Sequence, residues 1–147
     1  MMYPLIALLI ITAGIGILRY GAGSERVDLQ IWMTASLLDI AYHLSIGPIR
    51  YRVIDLGHLV LDVGTMAGFL WVALSANRVW PLWVAALQLQ PLVVHLAMIL
   101  RLPSQQMAYW LMMTAPADLE ILIIVLGTIA HMQRRRRIGQ YRDWRLT

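Results

Sequence analysis

Seven ionisable side chains, Asp39, His43, His58, Asp62, His95, Asp118 and Glu120, stand inside stretches otherwise apolar enough to cross a membrane. A charge in hydrocarbon is costly, so such residues face a polar interior, pair with one another, or do chemistry. Imidazole and carboxylate are the ligand set of zinc, manganese and non-haem iron, and three histidines with two aspartates could complete a divalent metal's shell. The same groups relay protons, because histidine titrates near neutrality and a carboxylate in a low-dielectric bundle moves toward it. Two neutral imidazoles facing each other across a bundle could instead hold haem b. Beside these readings stands a plainer one, in which Asp39 with His43 and His58 with Asp62 only hold helices together, at about 0.6 kcal/mol per contact.

Motifs do not choose among these chemistries. Asp39 and His43, and His58 and Asp62, are each four residues apart, which puts both members of a pair on one helical face. Such short patterns arise often by chance, and no His-Glu-x-x-His, Glu-x-x-His or His-x-His pairing accompanies them. Ser36, Ser45 and Ser75 lack a Gly-x-Ser-x-Gly context and the chain has no lysine, so an intramembrane hydrolase finds no support. No glycine-rich phosphate loop is present, so nucleotide-driven transport would need a partner chain. With no cysteine, thiolate metal sites, iron–sulfur clusters, disulfides and covalent haem attachment are excluded.

The elements that must position these residues are transmembrane helices. Of 147 residues, 60% are apolar and 14% charged, and the mean hydropathy is +0.67, a balance suited to lipid. Five apolar runs follow one another: Tyr3 to Leu18, Leu29 to Ile46, Val53 to Ser75, Val79 to Leu100 and Gln105 to His131. The first would be about 24 Å long, short for a hydrocarbon core of roughly 30 Å, and it lacks the charge order of a cleavable signal. The sequence RYGAGSERVD after it reads as an exposed loop. Gly47-Pro48 with Arg50 and Arg52, Asn77-Arg78, and Arg101 with Pro103 mark the later turns. Pro116 interrupts the fifth run, which is either one kinked helix or a half-helix beginning near Thr114. The predicted fold is therefore all-α, a polytopic transmembrane helical bundle of five spans, or four if the first drops out. Residues 1–133 form a single membrane domain and 134–147 a basic tail.

Loop arginines set the orientation. Arg19, Arg26, Arg78 and the tail residues Arg134 to Arg137, Arg142 and Arg145 would share one side, nine against Arg50, Arg52 and Arg101 opposite. The tail then lies in the cytoplasm and the N-terminus outside, as a multi-pass protein of a bacterial inner membrane. Counted inward from the turns opposite the tail, His43, His58 and His95 fall at about 6 to 9 Å and Asp39 and Asp62 at about 12 to 13 Å. Asp55, His58 and Asp62 make one stripe, and Gln88 and His95 another. Asp118 and Glu120 sit at about 21 to 24 Å and would extend a polar path across the bilayer.

Four consecutive arginines, Arg134 to Arg137, read as a topology anchor drawn to anionic lipid headgroups at about 1 kcal/mol each. Tyr141 and Trp144 nearby do not make a nucleic-acid site without a folded domain behind them. Trp32, Trp80, Trp83 and Trp110, near helix ends, read as interfacial anchors. Gly14, Gly16 and the Gly64-x-x-x-Gly68 pair would allow close backbone approach, chiefly inside the monomer. Two expectations follow: translocation of protons or a cation through the His/Asp cluster, or an accessory or assembly subunit in a larger membrane complex or homo-oligomer. Neither expectation calls for enzymatic activity, which the sequence leaves undecided.

Overall fold

A computed structural model describes residues 2–47, 55–102 and 105–145, with side chains from residue 8 onward except that of Gln106. Five helices account for nearly all of it: α1 (Met2–Tyr20), α2 (Gly23–Ile46), α3 (Leu56–Ser75), α4 (Trp80–Ile99) and α5 (Gln106–Ile138). Each of α2 to α5 packs on the next, and α5 closes back on α2, forming a four-helix ring; α1 lies outside it against α2 and α5. The turns assigned to Pro48, Arg50, Arg52 and Pro103 lie outside the described residues.

Three helical stretches are long and apolar enough to cross a membrane: Leu56–Ser75, Trp80–Ile99 and Met107–Ile138. The described part of α1 is shorter, and α2 carries Glu25, Arg26, Asp28 and Asp39, which lower its hydropathy. Leucine, isoleucine and valine cover the outward faces all the same. Leu37, Ile40 and Leu44 on α2 are more than half exposed, as are Leu8, Leu9 and Ile15 on α1.

Helix ends follow local chemistry. The Asp55 carboxylate caps α3 by accepting from the backbone N–H groups of Gly57 and His58, satisfying donors that the first turn cannot pair. Gly47 (φ 101°) and Gly139 (φ 78°) end α2 and α5 in the left-handed region that a side chain disfavours. Arg135, Arg136 and Arg137 occupy the last turn of α5, where cations complement the helix dipole. Pro116 lies within one 33-residue helix, so the half-helix alternative falls away. Pro91 sits similarly inside α4, and the two prolines leave the carbonyls of Leu87 and Met112 without their usual donors.

The segment from Arg19 to Asp28 is not a loop. Only Gly21 and Ala22 separate α1 from α2, and Ser24, Glu25 and Asp28 lie fully buried in the first turns of α2. Long-range contact explains this: residues 143–145 fold back against 75–77, where Asn77 N–H donates to the Asp143 carbonyl and Arg145 N–H to the Ser75 carbonyl. Trp144 then packs over Gly23 and beside Trp71, covering the start of α2. The apolar core of Ile17, Leu29, Phe69, Val84, Ile121 and Ile124 fills this half of the bundle.

The tryptophans divide. Trp83 and Trp110 are exposed, as anchors would be. Trp32 instead turns inward and donates its indole N–H to the Ala117 carbonyl at 3.0 Å, tying α2 to α5. Trp80 packs over Gly127. Among the sequence's glycines, Gly68 lets α3 approach Ile31 of α2, whereas nothing lies near Gly14, Gly16 or Gly64.

Candidate functional site

Asp39 and His43, one turn apart on α2, meet the N-terminal end of α3 because Asp55 fixes where that helix begins. His58 Nε2 stands 2.7 Å from Asp39 Oδ1, and His43 Nε2 stands 3.7 Å from the same oxygen. The two imidazoles are held from behind. His43 Nδ1 lies 3.0 Å from the Gly47 carbonyl, which can only accept, so the proton is on Nδ1. His58 Nδ1 faces Asp55 Oδ2 at 3.1 Å, off the line of a good hydrogen bond. Tyr42 donates its hydroxyl to the other Asp55 oxygen. Burial alone would raise the Asp55 carboxyl, but hydrogen bonds from Tyr42 and from the His58 ring and backbone override it and hold it at about 2.

This wiring has a chemical consequence. With its Nδ1 proton on the Gly47 carbonyl, a neutral His43 ring presents an Nε2 lone pair to the Asp39 oxygen that His58 Nε2 already approaches to hydrogen-bond distance. Lone pair against lone pair is repulsive, so the cluster calls for a cation in the gap, either a proton or a metal ion.

One turn deeper on α3, Asp62 makes a second centre. His95 Nε2 donates to Asp62 Oδ2 at 2.9 Å, and Gln88 donates to Asp62 Oδ1 at 3.3 Å. His95 is 1% exposed and its Nδ1 has no partner. The single histidine layer expected from depth is thus two centres: His43 and His58 around Asp39, and His95 on Asp62. The His43 and His58 ring centroids are 4.7 Å apart, which leaves no space for a porphyrin between them. His95 pairs with Asp62 through Nε2, and His131 with Tyr141.

Asp39, His58, Asp62, Gln88 and Glu120 line one cavity of about 290 Å³, with Pro91 and Pro116 in its wall. Glu120 is 2% exposed, and its Oε1 has no hydrogen-bond partner. Asp118, two residues away, is on the exposed face of α5 and does not join it.

Beyond the cavity, Glu120 is within electrostatic reach of Asp62 on one side and of Asp28 on the other. Asp28 is fully buried with neither oxygen hydrogen-bonded. Next comes Glu25, which accepts from the Ser24 hydroxyl at 2.9 Å and stands 3.5 Å from Arg78 Nε. Arg78 closes this end: Nη2 donates to Asp143 Oδ1 at 3.0 Å and lies 3.2 Å from His131 Nδ1, and Nη1 donates to the Tyr141 hydroxyl at 2.7 Å. Tyr141 passes its own proton to His131 Nδ1, also at 2.7 Å. Asp143 Oδ2 accepts from the Gly23 N–H at the start of α2. Arg134 stacks over the Tyr141 ring at 4.5 Å, while Arg135, Arg136 and Arg137 remain exposed.

Glu25, Asp28 and Asp143 were not legible as site residues, because they fall in polar stretches that suggest loop or tail, and His131 because it reads as the last residue of the fifth apolar run. The one signal was two acids three residues apart, ahead of an apolar run whose polar face continues through Asp39. An all-helical chain with membrane-length helices and a polar file through their ring defines the class. Comparison with models of known protein families, with curated proteins and with solved structures returns no match.

Proposed function

We propose that this chain translocates protons across a membrane, through the file Asp39–His58, Asp62–His95, Glu120, Asp28, Glu25. What carries the reading is that seven of the chain's eight carboxylates lie in or beside one line through the bundle, while its outward faces are apolar. The cavity reaches inward from the Asp39 end to Glu120. At the far end, Arg78 sits in the way as a fixed cation. It repels hydrated cations, which favours proton transfer between fixed groups over ion passage, and its pairing with Glu25 and Asp143 makes it a gate.

All five helices cross the membrane in this reading, α2 included, since its charges point into the ring and its outer face is leucine and isoleucine. The arginine count then puts the tail in the cytoplasm of a bacterial inner membrane. Because the chain has no cysteine, single cysteines at positions 2 and 145 report the sidedness directly with an impermeant maleimide.

The decisive test is a pH-sensitive dye trapped in proteoliposomes. Wild-type protein should dissipate an imposed pH gradient, and Asp62→Asn and Glu120→Gln should reduce the flux to the leak of protein-free vesicles. Flux equal in wild type and both variants overturns the proposal.

A second reading draws on Asp118, an acid on the outer face of an apolar helix, where lipid would not accommodate its charge. An accessory subunit or homo-oligomer would cover it with a membrane-protein partner.

A further inference from the structure

Asp39, His43 and His58 converge in a way that a proton alone does not explain. One carboxylate oxygen and one nitrogen from each ring lie within 4.8 Å of one another. Zinc with bonds of about 2.0 to 2.1 Å holds tetrahedral ligand atoms about 3.3 Å apart. The observed 2.7 Å and 3.7 Å separations bracket that value, so small side-chain rotations suffice.

We infer that Asp39 Oδ1, His43 Nε2 and His58 Nε2 form a binding site for a divalent transition metal ion, zinc being the best fit. An outer contact holds the His43 ring in the form a metal requires, with Nδ1 on the Gly47 carbonyl, and His58 Nδ1 faces Asp55 at 3.1 Å, so the Nε2 atoms are the ones turned toward Asp39. Charge agrees as well. Asp39 and Asp55 together balance a dication, whereas a single proton leaves the pair with an uncompensated negative charge. Two imidazoles and one carboxylate without thiolate favour zinc, nickel or copper over magnesium and calcium. Three protein ligands leave a fourth position for water. The Asp39 and His43 side chains are 45% and 25% exposed at the surface of the bundle.

Asp39 and His58 also line the mouth of the cavity, so a bound ion would displace the proton between them and close the path. That consequence rests on the proton reading; the binding site does not.

The test is zinc chloride titrated into the detergent-purified full chain by calorimetry, with cobalt chloride as an optical probe. One zinc per chain should bind, and cobalt should give intense visible bands of four-coordinate geometry. His43→Ala and His58→Ala should each weaken binding by about 100-fold or more, and Asp55→Asn, which removes the charge behind His58 while keeping a side chain able to cap α3, by roughly 10 to 100-fold. His95→Ala should bind as wild type, and circular dichroism on each variant separates lost ligands from lost fold. No zinc binding by the wild type, or stoichiometric binding that survives both histidine variants, overturns the site. Zinc binding in a protein without proton flux sinks the transport reading and leaves the site standing; flux that zinc does not inhibit, despite binding, removes only the link between them.

Discussion

Arg78 Nη2 donates to Asp143 Oδ1 across 3.0 Å, joining the turn between α3 and α4 to a residue sixty-five positions later in the tail. The same guanidinium stands 3.5 Å from the fully buried Glu25. Removing one partner of a buried pair leaves the other charge uncompensated, a loss of about 3 to 5 kcal/mol, whereas Asp143 is partly exposed and its loss resembles that of a surface contact. Arg78→Ala should therefore lower the melting temperature in detergent far more than Asp143→Ala. Asp143→Ala should mainly free the tail, read as faster proteolysis after Arg142 and Arg145. Equal melting temperatures for the two variants would contradict the assignment of Arg78 as the closure of this end.

Asp28 and Glu120 present the opposite case, buried carboxylates with unpaired oxygens. An unpaired buried polar group opposes folding by about 1 to 3 kcal/mol, more when charged, and function is the usual reason such groups persist. Asp28→Asn and Glu120→Gln remove the charge while keeping the shape. Each should leave the melting temperature unchanged or raise it, and each should stop proton flux. A variant that melts earlier and still conducts would identify the group as structural.

Gly127 and Gly14 both sit on helix surfaces, yet only one is at a contact. A Cβ at Gly127 would fall 2.7 Å from the Trp80 ring, whereas nothing lies within 4 Å of Gly14. Overpacking a tight site usually costs about 1 to 3 kcal/mol. Gly127→Ala should lower thermal stability by that order, and Gly14→Ala should stabilise slightly through helix propensity. The comparison is a direct check of how α4 packs on α5.

The helices and the shared face of Asp39 and His43 were readable because both depend on local spacing, apolar runs bounded by Gly, Pro and Arg and polar residues four apart; that His58 meets Asp39 instead of Asp62 depends on how α3 packs on α2. The closed end was hidden because it depends on contacts the sequence places far apart. Ser24, Glu25 and Asp28 look like a loop until Asp143 and Trp144 cover them, and His131 looks like the last residue of a span until α5 runs on to Ile138. Depth placed His95 in the layer of His43 and His58, but only the ring closure of α2 to α5 shows that it answers to Asp62.

Helix phase supplies the sharpest separation. Asp118 and Glu120 were grouped by depth, but residues two apart on an α-helix point about 200° from each other, so one faces inward and the other outward. Glu120 lines the cavity and Asp118 is exposed. Asp118→Asn should leave proton flux in reconstituted vesicles at the wild-type level, in contrast to Glu120→Gln. Native extraction adds a second arm: if Asp118 meets a membrane-protein partner, Asp118→Leu should release the chain from its complex while the purified variant still conducts. Loss of flux in Asp118→Asn with an intact fold would move the conducting line to the outside of α5 and overturn the path through the ring.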